Sequence, residues 1–279
     1  MKISEIYVEN ILRIEKASVS VKSNKLLLFG PNSAGKSSLI YGLLAALRQL
    51  GGGIEGQDFE QYTAPWQDLV KRGEGVVRLT VDGVPYRVLF KVGESPKIYR
   101  GDELVSAVRL SFRLSYVGPC SLFSPRLKRD FCTDVITIDD PALAEWVRKY
   151  LYLIGADDYY YEWIKSDDLW FSVRRLAYGY KRALAVIIAA YSADVLAVEG
   201  FESGLHYDLA VDLVDWLSEL SDTFVVLESH NGMSVTAALK SGWDVYYVEG
   251  GKFTPIRTID DFSKVATREM EAYARAKSP

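Results

Sequence analysis

Eight residues constrain this chain more than any others. Gly30-Pro31-Asn32-Ser33-Ala34-Gly35-Lys36-Ser37 fits the spacing G-x-x-x-x-G-K-[ST]. Before them Lys25–Phe29 is a nearly continuous apolar run. From Lys36 to Leu50 the pattern is helical, and Gly51-Gly52-Gly53 stops it. A buried strand feeding a glycine-containing turn and then a helix lets backbone N–H groups point inward around an anion at the helix N-terminus. In such a turn Lys36 reaches β- and γ-phosphates, and the Ser37 hydroxyl can hold Mg²⁺. The spacing therefore predicts a nucleotide site over Gly30, Pro31, Asn32, Ser33, Ala34, Gly35, Lys36, Ser37 and Ser38. The strand that carries it has the composition of a parallel sheet buried on both faces.

The rest of the chain agrees with an α/β class. Lys2–Val8 and Lys16–Val21 read as strands. Val76–Val81 and Pro85–Val92 alternate around Asp82-Gly83, a hairpin signal, and Pro96–Arg100 runs into a turn at Gly101-Asp102. Residues 54–74 show no clear period and read as a loop or short helix. Between 103 and 175 the pattern is weakest: a strand near Ser111–Val117, a helix near Pro141–Ile154, strands within the aromatic stretch Tyr159–Phe171. From there strand and helix alternate. An all-apolar helix (Ala183–Tyr191) precedes strand Val195–Val198, helix Tyr207–Leu220, strand Thr223–Leu227, helix Val235–Lys240 and strand Val245–Val248. Alternation of this kind predicts a parallel sheet with helices on both faces, and Ile259–Ala276 reads as an amphipathic surface helix. We expect one domain of two lobes: a core from 1–50 and 176–279, an antiparallel β lobe over 75–117, and a lid-like insertion over 118–175.

Composition narrows the class further. With 279 residues, 49% hydrophobic, 25% charged and a net charge of −4, this is a globular composition without a coat of nucleic-acid-binding charge. The longest apolar stretch, Ala183–Tyr191, is far short of a membrane span, and Glu5 and Glu9 stand where a signal peptide would be apolar. The expectation is a cytoplasmic protein with no membrane partner. Cys120 and Cys132 are too few for a disulfide framework and read as small buried apolar groups. Asn and Gln together number eight, a scarcity that points toward a hot-growing source.

The opening Ile3-Ser4-Glu5-Ile6-Tyr7-Val8-Glu9-Asn10, running through the phosphate loop to Ser38, resembles the start of the RecF, SMC and OLD-like group of ABC-type ATPases. Downstream, Val195-Leu196-Ala197-Val198-Glu199-Gly200-Phe201-Glu202-Ser203-Gly204-Leu205-His206 is similar to that group's Walker B and D-loop region. Counting back from Gly204-Leu205-His206, the resemblance assigns Glu199 as the Mg²⁺-associated acid and puts Gly200 where the catalytic glutamate stands. Glu202 and Glu228 are the remaining acids that could replace it. Leu176-Ala177-Tyr178-Gly179-Tyr180-Lys181-Arg182 resembles the signature motif that reaches a partner's γ-phosphate, with Gly179 as the contact and Ala177 in place of a serine. Glu228-Ser229-His230-Asn231 resembles the switch region, with His230 facing the γ-phosphate. Gln49, Gln57, Gln61 and Gln67 all lie too early for the family's glutamine loop. The interval before the signature is too short for a coiled-coil arm.

The resemblance implies a compact ATPase that binds ATP and Mg²⁺, dimerises on nucleotide, and works in DNA maintenance or defence with duplex DNA or a nuclease or effector protein as partner. The basic residues Arg126, Lys128, Arg129, Arg174, Arg175, Lys181 and Arg182 are candidates for contact with DNA. The alternative is a regulatory module that binds nucleotide and hydrolyses it little, because Gly200 carries no carboxylate. A third reading takes Val198-Glu199-Gly200 as part of a metal-dependent nuclease site, which lacks its later D-x-D pair.

Overall fold

A computed structural model describes residues 1–51, 65–70 and 73–276. The glutamines Gln57 and Gln61 and most of the loop expected over 54–74 lie outside the described residues. From that loop, Trp66–Leu69 forms one helical turn.

The chain begins with a hairpin, β1 (Ile3–Ile11) and β2 (Ile14–Ser20), then enters β3 (Lys25–Phe29), and α1 (Lys36–Gln49) follows the phosphate-loop sequence. After the short α2 (Trp66–Leu69) come β4 (Glu74–Val81), β5 (Val84–Lys91), β6 (Lys97–Arg100) and β7 (Glu103–Val105). These strands join β1 and β2 in a six-stranded antiparallel sheet of order β2-β1-β4-β5-β6-β7. The N-terminal hairpin, expected with the core, thus belongs to the antiparallel sheet: Ile3, Ile6, Val8 and Ile11 of β1 are buried in one core, and the residues between them are half-buried or exposed.

The second sheet carries the site. β8 (Leu114–Val117), β9 (Ser121–Phe123) and β10 (Lys128–Asp130) form one edge. After α3 (Pro141–Tyr150) and a small sheet of β11 (Asp158–Tyr160), β12 (Trp163–Ser166) and β13 (Leu169–Ser172), α4 (Tyr178–Ala190) leads into β14 (Val195–Val198). Then α5 (Tyr207–Ser218), β15 (Phe224–Ser229), α6 (Gly232–Lys240), β16 (Asp244–Glu249), β17 (Lys252–Ile256) and α7 (Ile259–Ala276) close the chain. The order is β10-β9-β8-β14-β15-β3-β16-β17, with β8, β14, β15, β3 and β16 mutually parallel. Leu114–Val117 therefore lies in the parallel sheet, not in the antiparallel lobe, because all four of its residues are buried and pair with β14.

Alternation along the central strands separates two cores. Leu27, Leu196, Val198, Val225 and Leu227 face α4 and α5, while Leu26, Leu28, Val195, Val226 and Phe224 face α1 and the antiparallel sheet. Helices do cover both faces as expected, but α1 shares its face with a whole sheet. The residues of α4 from Ala183 to Ala190 are all buried. Each large aliphatic among them contributes about 1.5–3 kcal/mol, which explains why this helix shows no polar face.

The expectation for the cysteines is overturned as well. Cys120 and Cys132 are half-buried and joined in a disulfide across the β9–β10 hairpin, with Cα atoms 5.2 Å apart. Phe131 N donates to Cys120 O at 2.8 Å, so the hairpin's backbone sets the two side chains opposite each other. Three-residue strands that contain Lys128 and Arg129 give little periodicity, and the sequence showed only a basic cluster there.

Candidate functional site

The site lies at the C-terminal ends of β3, β14 and β15. Gly30 and Gly35 take φ values of 151° and 116°, and between them Pro31, Asn32 and Ser33 are exposed while Ala34 is buried. The loop is braced from outside: Gly251 N donates to Ala34 O at 2.8 Å, and Arg13 N to Ser38 Oγ at 3.5 Å. α1 starts with no side-chain cap hydrogen bond, and a helix N-terminus attracts an anion.

Lys36 is buried and its Nζ donates to Gly30 O at 2.9 Å and Pro31 O at 2.8 Å. The acid facing it is Glu228, at the end of β15. Glu228 Oε1 lies 3.6 Å from Lys36 Nζ and 3.7 Å from His230 Nε2, and Glu228 Oε2 accepts from Ser37 Oγ at 2.8 Å. Burial, and the like charge of Glu199, push the Glu228 carboxyl above the usual range, against the pull of Ser37, Lys36 and His230.

Glu199 is placed differently. Its Oε2 accepts from Tyr41 Oη at 2.7 Å and from Tyr116 Oη at 2.6 Å. Burial first, then the charge of Glu199, drives both phenols well above the ordinary tyrosine value, so both hydroxyls remain donors. Glu202 reaches neither Lys36 nor Ser37 among the described hydrogen bonds. Its Oε1 accepts from His230 N at 2.6 Å and fixes the turn after β15, while its Oε2 is buried without a hydrogen-bond partner. The structure thus brings Lys36, Ser37, Glu228 and His230 together, and leaves Glu199 one helical turn along α1, against Tyr41. Sequence reasoning missed the tyrosines. Tyr41 stands four residues after Ser37 on the same helix face, a usable signal, but Tyr116 is reached only through the pairing of β8 with β14.

The signature-like segment occupies the start of α4, whose N-terminus also lacks a side-chain cap. Gly179 is buried, and a Cβ added there would lie 2.2 Å from Gly204 O, so the glycine lets α4 meet the 200–206 turn. An open cleft of about 360 Å³ adjoins it, lined by Ala177, Tyr180 and His206 among others. His206 is exposed, and its ring lies tilted against that of Tyr207 with centroids 4.2 Å apart. Arg182 corrects a sequence expectation. It is fully buried, and its guanidinium donates to Phe201 O, Gly118 O, Pro119 O and Glu199 O. Five fixed donors suit it to gather carbonyls from converging turns, so it does not offer charge to DNA. Arg126 is tied to Asp140 at 3.0 Å.

Neither a family model nor a curated protein sequence matches this chain. Solved structures do. The SMC head domain from Thermotoga maritima superposes with a TM-score of 0.62 at 16% identity, covering 92% of this chain and 100% of that one. The recombination mediator protein RecF, in a complex titled RecF-ATPrS, gives 0.56 at 13% identity over 91% and 98%. An ATP-binding cassette of an ABC transporter in its ADP conformation gives 0.52 at 13% over the full length of both chains. The chain therefore has the P-loop fold of the SMC, RecF and ABC ATPases. No helix among the described residues is long and apolar enough to cross a membrane.

Proposed function

We propose that this protein binds MgATP on Gly30–Ser38 and uses it as a dimerisation switch, with hydrolysis as its reset. One observation carries the reading. A glycine-flanked loop between the fully buried β3 and the uncapped start of α1 presents Lys36 and Ser37 to an acid and a histidine. Lys36 would exchange its two loop carbonyls for phosphate oxygens, and the N-terminus of α1 would take the rest of the charge. The hydroxyl of Ser37 and a neighbouring carboxylate are hard oxygen donors of the kind Mg²⁺ selects. Bound there, the ion would neutralise charge developing on the phosphates. The exposed start of α4 beside Gly179 would meet the γ-phosphate on a second copy, and His230 would face it from within the same copy.

A second reading has an observation of its own. Gly200 sits at φ 57° in a tight turn, a conformation a glutamate adopts only under strain. The turn is thus built without the carboxylate that would orient water, which favours a nucleotide-gated module with slow turnover. Contact with duplex DNA remains a proposal on Arg129, Arg174 and Arg175, which are exposed. It predicts affinity that falls steeply with salt.

The test is Mg²⁺-dependent ATP turnover beside equilibrium ATP binding, for the wild type and Lys36→Ala. Turnover and binding that both disappear in Lys36→Ala establish an ATPase. Tight binding without turnover selects the gated module, and binding indifferent to Lys36 removes the site.

A further inference from the structure

Two acids end neighbouring strands, and their surroundings divide the work between them. Each oxygen of Glu228 is turned toward the phosphate loop: Oε2 to the Ser37 hydroxyl at 2.8 Å, Oε1 to Lys36 Nζ at 3.6 Å and His230 Nε2 at 3.7 Å. Glu199 has an oxygen already saturated by two phenol donors from α1 and β8. Its backbone is held as well, since Glu199 N donates to Val117 O and Arg182 donates to Glu199 O. Turning that oxygen of Glu199 to an ion beside Ser37 would break both hydrogen bonds and take from half-buried Tyr41 and buried Tyr116 the carboxylate that accepts from them. Turning Glu228 Oε2 to the ion breaks one hydrogen bond, from Ser37, which the cation replaces, and leaves Oε1 facing Lys36 and His230.

We propose that Glu228, from the strand between β3 and β14, is the carboxylate that works with Ser37 on the metal ion of the bound nucleotide, and that Glu199 is a positioning residue. This deepens the nucleotide reading above and rests on it. Glu199 ties the end of β14 to α1 through Tyr41 and to β8 through Tyr116. It keeps the start of α1 in register with the acid that faces Ser37. Glu228 also answers how a chain with Gly200 in its tight turn keeps an acid on the phosphates: the carboxylate arrives one strand over, as the fifth residue of the Phe224–Ser229 stretch that stays buried to its end.

The experiment is equilibrium binding of a fluorescent ATP analogue to the full chain in EDTA and across an Mg²⁺ titration, for wild type, Glu228→Gln, Glu228→Asp and Glu199→Gln. Mn²⁺ bound in the ternary complex is read by electron paramagnetic resonance. With Glu228→Gln the analogue should bind in EDTA at least as well as to wild type, because a negative charge facing the phosphates is gone. The Mg²⁺ midpoint should rise about tenfold or more, and the Mn²⁺ signal should weaken in step. Glu228→Asp, which keeps the charge but withdraws it by one methylene, should fall between the two. Glu199→Gln should shift the midpoint less than Glu228→Gln. An unchanged midpoint and Mn²⁺ signal in Glu228→Gln, or a larger shift in Glu199→Gln, overturns the assignment while the nucleotide site stands. Failure of wild type to bind the analogue at any Mg²⁺ concentration overturns the nucleotide reading, and this inference with it. Unfolding curves identify a variant that fails to fold, and the Glu228→Asp result then decides.

Discussion

The ends of β14 and β15 differ in one respect that matters. Each carries a glutamate, Glu199 just past β14 and Glu228 one residue before the end of β15. At β14 the carboxylate is already answered by tyrosine hydroxyls from two elements. At β15 it is answered by groups that a nucleotide would also engage, Lys36, Ser37 and His230. A motif position identifies an acid near a phosphate site, but only its hydrogen-bond partners decide whether the acid is structural or available. The two lysines that bracket β3 repeat the contrast. Lys25 is spent on Leu220 O and Thr223 O, while Lys36 sits where carbonyls and a carboxylate can give way to phosphate.

The largest effect should come from Arg182. Replacing it by alanine leaves buried carbonyls of Gly118, Glu199 and Phe201 without their donor, and the protein should lose about 3 kcal/mol or more in urea denaturation. A loss below about 1 kcal/mol would break the claim that the end of β14 is a structural joint. Next comes Lys25, whose pKa burial pulls from 10.5 to about 8. Between those values the unfolded chain holds more protons than the folded one, so stability should rise with pH across that window. The expected gain is about 1–3 kcal/mol, and Lys25→Met should flatten it. A wild-type profile already flat from pH 8 to 10 would contradict the contrast between the lysines. The smallest effect is Tyr116→Phe, which removes one of two donors to Glu199 and should cost about 1 kcal/mol. It should also shift the Mg²⁺ midpoint for nucleotide less than Glu228→Gln does. A larger shift would return the metal role to Glu199.

The fold was largely legible because its core segments are long, apolar and punctuated. Lys25–Phe29 and Val195–Val198 form strands with the expected bounds, and Ile259–Ala276 is the expected helix. What escaped was carried by short or non-local structure. β9 and β10 have three residues each, and their disulfide depends on a hairpin with little sequence period. β17 contains Pro255 and only one fully buried residue, Ile256, so it carried no strand signal. At the site, the loop Gly30–Ser38 and His230 could be found from spacing because chemistry fixes them locally. The division between Glu199 and Glu228 could not, since it depends on Tyr116 meeting β14 through parallel pairing. Arg182 looked like surface charge for the same reason: its four carbonyl partners lie 17 or more residues away.

The account turns on which acid faces the metal ion. A crystal structure with a non-hydrolysable ATP analogue and Mn²⁺, read by anomalous scattering, tests that directly. The account predicts a single peak next to Ser37 Oγ with Glu228 turned to it, and Glu199 still bonded to Tyr41 and Tyr116. A peak held by Glu199, with both tyrosine bonds broken and Glu228 facing elsewhere, would contradict it.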